Sequence, residues 1–405
     1  MSRPRVLLAL TVYNGRAVVP AALTSVAGLS HAIADIDVLV LDDASPEPGF
    51  SAEVERLCQR LGHGYYRSPR NLGIPRNVNL GLLAALDGGY DYVIISNSDV
   101  IYSTMAVDQL VLTAQTDARI GSVTAWSTNV SIYSIPNSAP NDHLQHQAVT
   151  DEVGEALRDD FGSVAVDIPA GISFAMLIPT PVLRVVGIMD PVFGRGYCEE
   201  TDWSRRSVEA GFRLTLGIGA FVYHAGGGST EAAGLLQPGQ TTVPGNEAII
   251  DMRYPDFRSV VGEFFDAGTM PDLNARALEA IIGRASREHG YRLAVGLRPQ
   301  SSNSGDPHTR TIGDRNGAAG ALDIDVVLHG HRSSSAAVTT SVAGFTSTFT
   351  TSADQAAEMI RTAHGVPLSV DVFDIGVPAE TFARLVAGDD GATDIQTHRN
   401  YPARV

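Results

Sequence analysis

YDYVIISNSDV, residues 90–100, is a run of aromatic and β-branched residues that stops abruptly at Asn97, Ser98 and Asp99. A strand that is apolar on both faces belongs inside a parallel sheet with helices on either side. Two earlier stretches repeat the plan. RVLLALT (5–11) ends in Thr11 and leads to Tyr13, and IDVLVLD (36–42) ends in Asp42 and Asp43. Helix-like segments near 16–28, 51–62 and 75–87 alternate with these runs, and further strand candidates fall at 120–126, 172–178 and 214–223. The alternation predicts an open, mostly parallel α/β sheet flanked by helices. Ligands bind such sheets at the carboxyl ends of the strands, so the three polar ends should converge on one crevice. Taken singly, each is also an ordinary turn signal, because Asp, Asn and Ser form turns. Their shared register is what points to a site.

The composition narrows what that site can do. The 405 residues carry a net charge of -16, which disfavours nucleic acid and anionic membrane as partners. Every one of the 29 basic residues is arginine. Without lysine there is no Schiff-base chemistry and no Walker-type phosphate loop. Two cysteines, Cys58 and Cys198, are too few for a disulfide framework and fit a reducing cytoplasm. No apolar run reaches spanning length, which leaves peripheral membrane contact as the only membrane association expected. The opening MSRPRVLLALTVYNG reads as a first core strand rather than a signal peptide, since its apolar run is short and ends in Tyr13-Asn14-Gly15.

Beyond about residue 230 the character changes. A Gly-rich stretch (225–246) and helical pieces (247–289) lead to strand candidates at 291–297, 322–330 and 367–376 and a helix at 352–365. Three segments are therefore expected: an α/β domain carrying the polar strand ends over 1–230, a linker with helices over 231–289, and a small α/β unit of unassigned role over 290–405. His329 and His331 with Asp325 could suggest a metal, but strand-end polar residues are the simpler account.

Residues 5–230 resemble the inverting glycosyltransferases of family 2, which have the GT-A fold. The matching pieces run in order: LTVYNG, VLDDAS, NLGIPRNVNLGL, SNSDV, YCEETDW and VYHAGGGST. The resemblance implies transfer of a sugar from a UDP- or dTDP-sugar donor to a hydroxyl of a glycan or glycoconjugate. It places Thr11, Tyr13, Asp43, Arg76, Asn77, Asn97 and Ser98 around the nucleotide, with Arg70 a second candidate. It makes Asp99 and His224 the metal ligands. A divalent cation would neutralise the departing diphosphate in a chain without lysine. Oxygen ligands suit Mg2+ or Mn2+, and the imidazole tilts the choice to Mn2+. Asn97 departs from the D-x-D pattern, so the ion should be held more weakly. On their own, Asp99 reads equally as a turn or capping residue and His224 as a satisfied strand-end histidine.

YCEETDW crowds Glu199, Glu200 and Asp202 at the start of a helix. An inverting transfer needs a base at the acceptor hydroxyl, and crowded carboxylates raise one another's pKa. By resemblance Glu200 is that base, one methylene longer than the family's aspartate. Glu199 would orient the acceptor or loop, and Asp202 would cap the helix or pair with Arg205 or Arg206. A purely structural acidic helix start is the competing account. Trp203 is expected in the core, and Gly171 could let substrate approach the backbone. The rival activities are a sugar-phosphate nucleotidyltransferase, whose basic glycine loop is lacking after the first strand, and a non-catalytic sugar-nucleotide-binding partner.

Overall fold

The computed structural model describes residues 3–130, 132–136, 145–226, 243–298, 322–329, 335–365, 367–373, 377–387 and 395–398. Most of the Gly-rich stretch 225–246, most of the loop 298–320 and His331 lie outside the described residues. The chain divides into two units, the first running to Asn274 and the second from Ala275.

The first unit opens with β1 (Arg5–Val12), α1 (Val19–Ala27), β2 (Asp35–Asp42), α2 (Phe50–Leu61), β3 (Gly64–Arg67), α3 (Ile74–Asp87) and β4 (Tyr92–Ser96). It continues through β5 (Val100–Tyr102), α4 (Ala106–Ala114), β6 (Ile120–Trp126), α5 (Gln147–Phe161), β7 (Ala165–Asp167) and β8 (Ala175–Pro179). It goes on with α6 (Thr180–Val186), α7 (Glu199–Glu209), β9 (Arg213–His224) and α8 (Val243–Arg253), and a further helix over Phe257–Asp266 follows. The strands form one sheet in the order β3-β2-β1-β4-β8-β6-β9-β5, with β7 also on β9. Strands β3, β2, β1, β4, β6 and β9 run one way, while β8, β5 and β7 are reversed.

The apolar strands seen in the sequence are the centre of this sheet. Val6, Leu8 and Leu10 of β1 and Ile94 of β4 are buried with Leu23, Val54 and Leu110 from the helices in one core. On α2 the apolar residues Phe50, Val54 and Cys58 recur every fourth position and are the buried ones, as an amphipathic helix requires. Burial raises the Cys58 thiol to about 11, leaving it an inert packing group.

One turn decides where two loops meet. Gly73 precedes α3 with φ +82, and a Cβ there would stand 2.3 Å from the Gly194 carbonyl oxygen. The loop before α3 is thereby pressed onto the loop before α7, and Ile74 N donates to Arg195 O at 3.2 Å. Gly73→Ala is expected to cost roughly 2–4 kcal/mol, combining a left-handed backbone with overpacking. Urea denaturation monitored by tryptophan fluorescence measures it.

The second unit contains β10 (Tyr291–Arg298), β11 (Leu322–His329), β12 (Ser335–Val342), β13 (Phe345–Ser352), α9 (Ala353–His364), β14 (Ser369–Phe373), α10 (Val377–Ala387) and β15 (Ile395–His398). Its sheet runs β13-β12-β11-β10-β14-β15. Central β10 is parallel to both β11 and β14, whereas β11, β12 and β13 are antiparallel. Buried and half-buried residues alternate along β11, so Asp325 and His329 share its more open face. Among the described residues no cluster of three or more His, Cys, Asp or Glu is placed to hold a metal.

Candidate active site

The three polar strand ends do share one edge of the sheet. Thr11 Oγ1 donates to Ser96 O at 3.2 Å, tying the end of β1 to the end of β4. Asp43 N donates to Val12 O at 2.8 Å, tying the end of β2 to β1. The reversed strand β8 starts at this edge, opposite Ser96. Phe174, just before it, accepts at its carbonyl from Asn97 N and from Ser96 Oγ.

The last strand brings the histidine in. β5 pairs antiparallel with the end of β9, Val100 facing His224, and Ala225 N donates to Asp99 O at 2.8 Å. His224 Nε2 lies 3.4 Å from Asp99 Oδ1 and 3.3 Å from Asn97 Nδ2. His224 Nδ1 is 2.8 Å from the Asn129 carbonyl, an acceptor, so Nδ1 carries the proton and Nε2 faces the carboxylate. The Asn129 side-chain amide donates to Ala225 O at 2.7 Å, and the Phe174 ring lies 5.2 Å from the imidazole. Burial would lower the His224 pKa. The adjacent Asp99 carboxylate and the Asn129 carbonyl outweigh that, so the imidazole titrates above its usual value.

This pair fits a divalent cation. Asp99 is buried, and its Oδ1 has no hydrogen-bond partner. A buried carboxylate oxygen left without a donor is costly unless something positive meets it. One carboxylate and one imidazole, the latter oriented through its far nitrogen, leave most of a coordination sphere for a substrate's phosphate oxygens.

The nucleotide-side residues divide by role. Asp43 is buried, and its two carboxylate oxygens accept from Leu72 N at 2.7 Å and Gly73 N at 3.0 Å. Its first task in this structure is to hold the loop before α3. Burial pushes its pKa up although both N–H groups pull it down. Asn77 is also turned inward, donating from Nδ2 to Leu41 O at 3.0 Å, and so pins α3 to β2. Arg76 projects from the first turn of α3 into solvent, Tyr13 is half-buried, and Ser98 is buried beside Asp99.

The acidic helix start separates as well. The loop before it is strained: Tyr197 and Cys198 have φ +73 and +72, which non-glycine residues rarely adopt. Glu199 is buried and Glu200 half-buried, and one oxygen of each, Oε2, is without a hydrogen-bond partner. Burial raises the pKa of both, and the Glu200 charge raises Glu199 further. Burial thus disfavours the charged form of both, the more so for Glu199, the more deeply buried group with Glu200 beside it.

Asp202 does not belong with them. Its side chain is fully buried and accepts from Arg206 Nε at 2.9 Å, from Arg253 Nη1 at 2.6 Å and from Tyr254 OH at 3.0 Å. Two guanidinium groups and a phenol occupy it, so no acceptor hydroxyl reaches it, and its place in the candidate catalytic set is corrected to a scaffold. Trp203 is buried, with its Nε1 donating to Gly187 O. A Cβ on Gly171 would stand 2.3 Å from Met176 Sδ, so that glycine makes room for packing rather than for substrate. Burial and the neighbouring glutamates push the Cys198 thiol up to about 12, which removes it as a nucleophile.

Residues 8–163 match the family model described as Glycosyl transferase family 2. That stretch is similar to glycosyl transferase family 2. The match covers the strands and helices from β1 to α5 and not the rest of the first unit, so Glu199, Glu200 and His224 lie beyond the matched residues. No curated protein matches the chain. Among solved structures, the chain is similar to GalNAc-T7 with UDP, GalNAc and Mn2+, at 13% identity and TM-score 0.43, covering 55% of this chain and 44% of that one. It is similar to the mannosyltransferase PcManGT from Pyrobaculum calidifontis with GDP-Man and Mn2+, at 16% identity and TM-score 0.43, covering 71% and 76%. It is also similar to S. aureus TarS, at 14% identity and TM-score 0.40, covering 54% and 36%. The chain thus spans under half the length of GalNAc-T7 and of TarS.

Three residues around this site carry no signal in the sequence. Asn129 sits in a loop, and its contact with the imidazole is made by the backbone carbonyl, which any residue would supply. Asn246 and Arg253 lie on α8, beyond the motifs, and only the fold carries them back to the loop before α7. No helix among the described residues is long and apolar enough to cross a membrane.

Proposed function

We propose that the chain is an inverting glycosyltransferase that moves a sugar from a UDP- or dTDP-sugar to a hydroxyl of a glycan or glycoconjugate, in polysaccharide or glycoconjugate synthesis on the cytoplasmic side. The observation that carries the proposal is the approach of His224 Nε2 to the partnerless Asp99 Oδ1, 3.4 Å apart at the carboxyl edge of a GT-A-type sheet. Those two residues would hold Mn2+ or Mg2+. Bound there, the cation supplies positive charge for the diphosphate as it departs.

The remaining work falls to the chain's own residues. Glu200 takes the acceptor hydroxyl's proton on Oε2 as the acceptor oxygen bonds to the anomeric carbon. The bond from that carbon to the phosphate oxygen breaks, and its electron pair leaves on the nucleoside diphosphate. Attack from the face opposite the leaving group inverts the anomeric configuration. Glu199, in its protonated form, donates to Glu200 and keeps it aimed. Thr11, Tyr13, Asn97 and Ser98 line the nucleotide side, Asp43 and Asn77 fix the loop and helix that border it, and Arg76 faces the phosphates.

A panel of nucleotide sugars with and without Mn2+, read by thermal shift, tests this. One donor at about 100 times its Kd is expected to stabilise the first unit by about 2.7 kcal/mol, and only when the metal is present. Stabilisation by a nucleoside triphosphate with pyrophosphate release would instead identify a nucleotidyltransferase. No stabilisation by any sugar nucleotide would sink both.

A further inference from the structure

The strained loop that presents Glu199 and Glu200 is held only in part by backbone bonds of its own segment, such as Gly196 N to Phe193 O at 3.1 Å. Gly194, Tyr197 and Cys198 have φ +63, +73 and +72, and Gly196 has φ +131, so four of the five residues before Glu199 sit in the left-handed half of backbone space. Such a run persists only when its surroundings fix it. Besides the bond from Ile74 N to Arg195 O, a buried side-chain amide gathers its carbonyls. Asn246 Nδ2, on α8, lies 3.1 Å from Phe193 O, 2.7 Å from Gly196 O and 2.9 Å from Tyr197 O. The same helix ends in Arg253, whose Nη1 bridges Asp190 Oδ2 at 2.9 Å and Asp202 Oδ1 at 2.6 Å. Those carboxylates stand at either end of the segment that carries the glutamates. Ile250 and Tyr254 pack on Phe193 between the two polar anchors.

We propose that Asn246 and Arg253 are positioning residues for the Glu199–Glu200 pair, Asn246 setting the loop crown and Arg253 fixing the span on which it stands. This rests on the glycosyltransferase function proposed above. Neither residue touches substrate. Their effect is to hold Glu200 at the angle from which it meets the acceptor hydroxyl, and to keep water from the pair. A misplacement of about 1 Å in such a group costs on the order of 100-fold in rate.

The test uses the full-length protein with Asn246→Asp, Arg253→Met, Glu200→Gln and, as control, Asp251→Asn. Asp251 lies on the same helix but pairs with the exposed Arg258. Asn246→Asp keeps the side chain's size and sets a carboxylate against three carbonyl oxygens. Hydrogen–deuterium exchange of peptides covering 193–202 is expected to speed by about tenfold in Asn246→Asp and Arg253→Met, with β1, β4 and β9 protected as in the parent. In turnover, kcat is expected to fall by about 10–100-fold with the donor KM unchanged. The acid limb of the kcat profile should move to lower pH as water reaches the pair. The control should match the parent in all three.

Parent-like exchange at 193–202 in both variants overturns the inference, even if no donor has been found. Parent-like kcat in Asn246→Asp, where Glu200→Gln is silent, overturns it too. If Glu200→Gln turns over normally, the base assignment falls instead, and exchange at 193–202 still decides whether α8 holds the loop. Should Asn246→Asp fail to fold, Arg253→Met decides alone, because Asp202 retains Arg206 and Tyr254 as partners.

Discussion

Glu200→Gln is expected to lower kcat by about 100- to 10,000-fold while leaving donor and metal binding intact. Glutamine keeps the shape of the side chain and its acceptor oxygen, but it cannot take a proton. The loss should therefore fall on the chemical step and spare KM for the donor. The neighbour gives an internal check. In the proposed mechanism Glu199 acts as a donor to Glu200, and a glutamine amide can do the same. Glu199→Gln is thus expected to retain activity within about tenfold of the parent. Equal losses at both positions would contradict the division of labour between them. The pH dependence has a definite sign. Burial raises the Glu200 pKa above its usual value, and the base works only when ionised. Activity should fall as pH drops through that raised pKa, so the acid limb lies at higher pH than an ordinary carboxylate would give. The raised pKa of Glu199 acts on stability in the opposite sense. Its contribution is present below the unfolded carboxylate value and is lost as pH rises through the folded one. Glu199→Gln should accordingly stabilise the fold at pH 8 more than at pH 4.

The second large effect is expected at the cation pair. Asp99→Asn or His224→Gln should raise the apparent Kd for Mn2+ by more than about 100-fold, the upper end of what loss of a supporting hydrogen bond alone costs. Donor binding that depends on the metal should vanish with it, while the fold stays intact. Isothermal titration with Mn2+, before and after adding the nucleoside diphosphate, separates the two. Here too the pH sign follows from the structure. A proton competes for Nε2, and the Asp99 carboxylate raises the His224 pKa. Metal affinity in the parent should weaken as pH falls through a value above the usual histidine range. In His224→Gln that pH dependence should disappear. A variant that binds Mn2+ as the parent does would remove the pair from the site.

Much of the framework is legible in the sequence because apolar runs carry their own signal. The stretches 5–11, 36–42 and 90–97 correspond to β1, β2 and β4, and the helices near 51–62 and 75–87 correspond to α2 and α3. Short or polar strands escape that signal. β5 has three residues, too few to show a period, yet it brings Asp99 beside the end of β9. β12 and β13 are rich in Ser and Thr, and their register comes from pairing rather than from hydrophobicity. At the site, Asp99 and His224 are brought together as the motifs suggested. Asp202 is not separable from Glu199 and Glu200 by sequence alone. Its partners Arg253 and Tyr254 come from a later helix, and no local pattern reveals whether a carboxylate is free or spoken for.

β9 closes the first unit's sheet from far along the chain, inserting between β6 and β5. Asp99 and His224 are far apart in the chain, so their pairing waits for a long-range closure that brings β9 beside β5. During refolding, capture of Mn2+ should lag behind the appearance of helical ellipticity, because helices form from local contacts. The ion would then serve as a chronometer for closure of the sheet.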